Sequence, residues 1–257
     1  MHEQTADPAL STEVDPAYAE QRLALLYDAL NPWGPGDDFY LSAVLRSDSA
    51  LDIGCGTGAL LRGARRAGHR GDLVGLDPAA AMLAIARAHS PDVTWLQGRA
   101  QDVRLDRTFQ VATMTGHAFQ VLLTDGDTEA TLATVHHHLR PGGHFLFETR
   151  NPAAQPWELW TAEHTKATVR SPGGEAVDVA YVLRGHRQPD LVDFDAVFRW
   201  QASGATVTSP STLRFIDPAH LRALLTAAGF AVVGWYGSWD QSPVTDASPE
   251  VIVEARR

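Results

Sequence analysis

Cysteine is almost absent from this chain: Cys55 stands alone among 257 residues. No internal disulfide can form, so the fold rests on buried surface, and the composition suits a reducing compartment. An excess of positive charge is missing too. Lys and Arg number 21 against 31 Asp and Glu, a formal charge of −10. Nucleic-acid binders need a basic face to replace phosphate counterions, so no nucleic-acid partner is expected. No apolar run approaches the roughly 20 residues of a membrane-spanning helix. The opening M-H-E-Q-T-A-D-P-A-L-S-T-E-V-D lacks the basic start and apolar core of a signal peptide. Internal repeats and low-complexity tracts are lacking as well. These absences point to a cytoplasmic protein with a small-molecule partner and no membrane partner, a monomer or homodimer.

The hydrophobic share of 44% and charged share of 20% are those of an ordinary globular chain. The first 15 residues read as a disordered lead-in. Leu23, Leu26, Tyr27 and Leu30 recur at helical spacing, which predicts one helix from Tyr18 to Leu30. Asn31-Pro32-Trp33-Gly34-Pro35-Gly36 breaks it, and Asp37 or Asp38 is placed to cap a second helix through Leu45. From residue 50 strands and helices alternate: strands at 50–53, 72–76, 93–96, 109–114 and 144–149, helices at about 58–67, 79–88 and 125–139. Pro141-Gly142-Gly143 reads as a turn into the strand at 144. Alternation of this kind predicts an α/β fold, a doubly wound, mostly parallel sheet with helices on both faces.

The rhythm changes after Asn151-Pro152, a dipeptide read as a turn. Residues 165–171, 176–184, 191–201 and 205–216 are rich in β-formers, and V-D-F-D-A-V-F-R-W alternates at period two. An antiparallel β lid inserted at 153–215 is expected, with 16–152 and 216–257 forming the core. Asp217-Pro218 caps a helix to Gly229, and strands at 230–236 and 250–256 close the chain.

Chemistry concentrates at A-L-D-I-G-C-G-T-G-A-L, residues 50–60. A strand ends on Asp52-Ile53, glycines follow at 54, 56 and 58, and a helix begins at Ala59. Backbone N–H groups in such a turn can approach a ligand closely. Gly54-x-Gly56-x-x-Ala59 also fits the dinucleotide pattern, so a NAD-dependent oxidoreductase is one reading. Asp77, which ends the second strand before Pro78, can accept bonds from two ribose hydroxyls in either case. Asp52 separates the readings, because a carboxylate beside the turn repels a pyrophosphate and suits a positively charged ligand. Gln97-Gly98-Arg99-Ala100-Gln101-Asp102 forms a polar turn after the third strand.

Together these residues resemble the class I S-adenosylmethionine-dependent methyltransferases, in particular bacterial members acting on small molecules. The resemblance covers about 50–150 and, more loosely, 215–257. The opening Y-D-x-L-N-P-W-G-P-x-x-D-F-Y is similar to their cofactor-covering helix pair. It implies a Rossmann-like, seven-stranded sheet with an antiparallel last strand, and S-adenosylmethionine as cofactor, converted to S-adenosylhomocysteine. By position, Gly54, Gly56 and Gly58 would lie against the methionine part and Asp52 near its ammonium. Asp77 and Pro78 would flank the ribose, Met82 the adenine face, and Ala100 and Gln101 the adenine edge. Thr115 and Gly116 would line the methionine end, with Tyr27 closing from above. Arg99 stands where many members carry an acid.

The implied activity is in-line methyl transfer to a small molecule, at nitrogen or oxygen rather than carbon. An RNA or protein acceptor, or a cofactor-binding protein without transfer activity, is the alternative within this family. His117, at the end of the fourth strand, is the candidate base or substrate orienter, against a histidine that hydrogen-bonds the cofactor or a loop carbonyl. Arg150 is the candidate partner of a substrate carboxylate, against a structural ion pair with Glu148 or an acid of the insert. Trp33, Trp200, Tyr236 and Trp239 are candidate pocket residues, with Trp157, Trp160 and Trp235 in the same aromatic group. His136-His137-His138 reads as a solvated helix face, because adjacent helical residues diverge, and no metal site is expected.

Overall fold

The computed structural model describes residues 14–187 and 189–257. The expected disordered lead-in lies outside the described residues except for Val14 and Asp15, and the Asp15 carboxylate accepts the Ser211 hydroxyl. The opening elements are α1 (Pro16–Ala19), α2 (Gln21–Ala24), α3 (Tyr27–Leu30) and α4 (Pro35–Leu45). The core continues with β1 (Ser49–Ile53), α5 (Ala59–Arg66), β2 (Asp72–Asp77), α6 (Ala80–His89), β3 (Thr94–Gln97), β4 (Phe109–Met114), α7 (Asp125–His138) and β5 (Leu139–Arg150). The insert holds α8 (Ala162–Thr165), β6 (Ala167–Arg170), β7 (Ala176–Arg187), β8 (Leu191–Trp200) and β9 (Thr206–Arg214). The chain ends with α9 (Pro218–Ala227), β10 (Ala231–Tyr236) and β11 (Glu250–Arg256).

Seven strands form one sheet in the order β10-β11-β5-β4-β1-β2-β3. β1 to β5 run parallel, and β11 inserts antiparallel between β5 and β10. Every residue of β1 is buried, as a central strand covered on both faces requires. On one face Leu60, Leu61 and Ala64 of α5 and Leu83 and Ala86 of α6 meet Leu73 and Val111. On the other, Leu132 and Val135 of α7 and Leu221 and Leu225 of α9 pack on Phe145 and Phe147. The chain runs outward through β2 and β3 and returns to β4 on the far side of β1. That reversal opens a crevice at the carboxyl ends of β1 and β4, where sheets of this kind bind ligands.

The lid is a four-stranded antiparallel meander, β6-β7-β8-β9. Its period-two pattern works as the sequence implies: Val192, Phe194, Ala196 and Phe198 are buried and the residues between are half-buried. Leu23 and Leu26 close its inner face against Val177, Val179 and Phe198. At its root Arg214 pairs with Asp190 at 2.6 Å and Asp125 at 2.7 Å.

Local expectations change at several places. The predicted helix over 18–30 is broken into short turns by extended backbone at Glu20 and a tightened bend at Leu25-Leu26. Leu23 and Leu26 must reach the lid while Ala24 and Tyr27 reach Met82, and one straight apolar stripe cannot serve both. Neither Asp37 nor Asp38 is the cap of α4: Gly34 is, Pro35 takes the first helical position, and Asp37 reaches back to the Gly34 N–H at 2.8 Å. Pro141-Gly142-Gly143 is a bulge inside β5, tied by the Gly142 N–H to the Arg257 carbonyl at 2.9 Å. His138 is not on a solvated face; it is 1% exposed, bonded to the Thr134 carbonyl at 2.7 Å and accepting the Leu105 N–H at 2.8 Å. Asn151 begins a 3₁₀ turn and is held by the Thr245 and Ser248 carbonyls at 2.9 Å.

Candidate active site

β1 ends in a turn whose glycines at 54, 56 and 58 have φ of +68°, +54° and +77°. A Cβ on Gly54 would stand 2.8 Å from the Ala118 methyl, whereas one on Gly56 would meet nothing within 4 Å. Gly54 is therefore fixed by packing, and Gly56 borders open space. Asp77 holds this turn: its two oxygens accept the Gly56 and Ala79 N–H groups, each at 2.8 Å.

Asp52 is 1% exposed. Its position opposite Thr113 in the β1–β4 register lets the Thr113 hydroxyl donate to it at 2.7 Å. Burial pushes its carboxyl up to about 7, reinforced by the nearby charges of Asp77 and Glu148. Among the described residues it forms no ion pair.

After β4, Thr115-Gly116-His117 turns back, and His117 takes a left-handed φ of +60°. Its N–H donates to Glu148 of β5 at 2.7 Å, which fixes that conformation. Its ring Nε2 lies 3.0 Å from both carboxylate oxygens of Glu250 on β11. In the neutral ring, a carboxylate at Nε2 makes that nitrogen the donor and leaves Nδ1 as the acceptor. Glu148 is buried, which raises its carboxyl, and its second oxygen accepts the Tyr40 hydroxyl of α4. Tyr40 in turn packs on Trp239, with ring centroids 5.7 Å apart.

Tyr27 stands over Gly116, whose Cβ would lie 3.4 Å from the Tyr27 hydroxyl. Burial raises the Tyr27 hydroxyl well above its ordinary range, and Tyr181, Asp77 and Glu148 push the same way. Asp77 ends β2, Glu148 lies near the end of β5 and Tyr181 is on β7 of the lid. Tyr18 meets it edge to face at 6.1 Å.

Arg150 ends β5 directly opposite Glu250. Its Nη1 donates to the Gln120 Oε1 at 2.8 Å, and its guanidinium lies 5.7 Å over the Trp160 ring. The ion pair with Glu148 or an insert acid does not form among the described residues. Burial lowers the guanidinium below its usual range, with Glu250 and Tyr18 acting against that shift.

The remaining candidates scatter. Met82 is buried beside Ala24 and Tyr27. Pro78 is exposed and its carbonyl accepts the Gln97 amide; Ala100 is buried in the main core; Gln101 donates to Asp127 at 3.3 Å; Thr115 is half-buried. Tyr236 bridges to Pro243, with its ring against Gly234. Trp33 packs on Gly63 and bonds Asp38, and Trp200 lies under Arg22, so neither contacts His117 or Arg150. Tyr18, Gln120, Tyr181 and Glu250 were not singled out as site residues from the sequence; Tyr40 entered only within the cover motif and Glu148 only as a possible ion-pair partner of Arg150. Glu148 alone carried a signal, two residues before Arg150 and so on the same face of the strand. Among the described residues no group of three or more His, Cys, Asp or Glu is arranged to hold a metal.

Comparison with known proteins decides the family. A methyltransferase-domain family model matches residues 50–143. The chain is 32% identical over 233 residues to 2-phytyl-1,4-naphtoquinone methyltransferase of Thermosynechococcus vestitus, covering 84% of this chain and 90% of the relative. It belongs to the class I S-adenosylmethionine-dependent methyltransferases. This methyltransferase is also 30% identical over 201 residues to the dTDP-3-amino-3,4,6-trideoxy-alpha-D-glucopyranose N,N-dimethyltransferase of Streptomyces venezuelae, covering 76% and 80% of the two chains. Its fold matches CalS10 of Micromonospora echinaspora, an amino pentose methyltransferase with bound S-adenosylmethionine. The TM-score is 0.66 at 25% identity, over 90% of this chain and 96% of that one.

Proposed function

We propose that this methyltransferase acts on a nitrogen of a small-molecule acceptor held between the carboxyl ends of the strands, the cover helices and the lid. The observation that carries this reading is the His117–Glu250 pair beside Gly116. A carboxylate-bracketed imidazole attracts an ammonium, and its free Nδ1 can take the proton that the nitrogen must lose before its lone pair reacts. The N,N-dimethyltransferase relative supports nitrogen over oxygen.

The donor set fits the cofactor. Among the described residues no cation pairs with the buried Asp52 carboxylate, and an α-ammonium group would complete it. Gly56 borders open space, and Asp77 keeps lone pairs beside it for a ribose diol. We assign Gly54, Gly56, Gly58 and Thr115 to the methionine end, Pro78, Met82, Ala100 and Gln101 to the nucleoside end, and Tyr27 to the roof. Bound S-adenosylmethionine supplies a sulfonium methyl that an acceptor lone pair takes by in-line displacement, the electron pair of the broken bond staying on sulfur. The protein's own part is alignment and exclusion of water, worth up to about 7–11 kcal/mol of barrier when the geometry is right. Mass spectrometry of the acceptor after incubation with the cofactor tests the reading: one added methyl on nitrogen is expected, and transfer to oxygen or carbon overturns it.

A further inference from the structure

We infer that the acceptor is an amino carboxylate with an apolar body, its carboxylate held by Arg150 and its amine beside His117 and Glu250. This rests on the methyltransferase reading above and names its substrate class. The first ground is how this fold treats its other enclosed arginines. Arg62, Arg65 and Arg214 have side chains 10–17% exposed, and each pairs with an aspartate, Asp28, Asp92 and Asp125 respectively. Arg150 is half-buried at the end of β5 and forms no salt bridge among the described residues. Of its five N–H donors, one is spent on Gln120. Among the described residues no group takes its other donors, which leaves them for a ligand anion.

The second ground is how firmly the guanidinium is aimed. Gln120 is 1% exposed and donates its own amide to the Arg214 carbonyl at 3.0 Å, so its oxygen cannot follow a moving arginine. Trp160 covers one face of the guanidinium and leaves the donor edges for a planar, two-oxygen partner. The third ground is adjacency. Glu250 is both the cross-strand neighbour of Arg150 and the ring partner of His117, so one small molecule reaches both charges. The apolar body has a wall to meet: Trp160 lies 4.7 Å from Phe194, and Tyr181 lies 5.9 Å from the same ring.

The test uses the full-length protein and matched probes: apolar and aromatic L-amino acids, the amines that lack the carboxylate, and the acids that lack the amine. L-Phenylalanine, phenethylamine and 3-phenylpropanoate form one such trio. An amino acid of the panel is methylated, and its amine counterpart reacts with a kcat/KM lower by about 10–150-fold, the loss of one charged hydrogen-bonded contact. The acid counterpart competes with it and gives no product. Arg150→Gln lowers kcat/KM for the amino acid by a similar factor, chiefly through KM, and lowers it for the amine by a clearly smaller factor; Arg150→Lys recovers part of the loss. The inference is overturned if no amino acid is methylated, if amines react as well as amino acids, or if Arg150→Gln slows both classes equally. Stabilisation of both proteins by S-adenosylhomocysteine, read as a rise in Tm, shows that fold and cofactor site are intact in each case. Absence of that rise in the unmodified protein counts against the methyltransferase site itself.

Discussion

Lowering the pH from about 8 to about 6 weakens binding of S-adenosylhomocysteine by about tenfold if Asp52 receives its ammonium group. The Asp52 carboxyl is held at about 7 by burial, so it is mostly protonated at the lower pH. A carboxylic acid gives an ammonium ion no charge partner, so binding must expel the proton. The ionised share runs from about nine-tenths at pH 8 to about one-tenth at pH 6, which sets the tenfold factor. Calorimetry in two buffers of different ionisation enthalpy reads both the affinity and the proton released, close to one per site at the lower pH. Asp52→Asn should bind weakly and lose the pH dependence. Without ligand the sign for stability is the opposite of an ordinary ion-paired carboxylate. The folded value lies above the unfolded 3.8, so stability from this group is present at low pH and is lost as pH rises towards 7, by up to about 4 kcal/mol. An affinity flat across the range, with no proton release, refutes the assignment of Asp52.

Other expectations concern the turns and the base. Gly54→Ala places a methyl 2.8 Å from that of Ala118 at positive φ and should destabilise by more than the about 1–2 kcal/mol of backbone strain alone, measured by urea unfolding. Gly56→Ala has room for its methyl, so its stability loss should stay near that backbone figure while affinity for S-adenosylhomocysteine falls further; the reverse ranking contradicts the cradle. Tyr40→Phe leaves an oxygen of buried Glu148 without its hydroxyl partner, at a cost of about 1–3 kcal/mol, with a lower kcat because Glu148 holds His117. His117→Asn keeps a residue tolerant of left-handed backbone and removes the base, so kcat should fall about 10²-fold or more with cofactor affinity nearly kept.

Strands read best from the sequence where burial and period agreed: 109–114 and 250–256 fall within their predicted limits. The glycine turn after Asp52 was legible because a sharp turn at a strand end leaves its mark in residue type alone. The cover was less so, since Leu23 and Tyr27 answer to different partners, the lid and α6, that periodicity along one helix cannot show. Glu250 was invisible for a related reason. Its link to His117 depends on β11 entering antiparallel in a register that sets it opposite Arg150, 100 positions earlier in the chain. Aromatic residues misled in the same way: Trp160 reaches Arg150, whereas Trp200, in an equally β-rich segment, faces Arg22 on the cover.

The decisive measurement is a crystal structure with S-adenosylhomocysteine bound. The ammonium is expected on Asp52, the ribose diol on Asp77, and the sulfur under Tyr27, facing His117. A ligand whose ammonium lies away from Asp52, or whose sulfur points away from the His117–Glu250 pair, contradicts this placement.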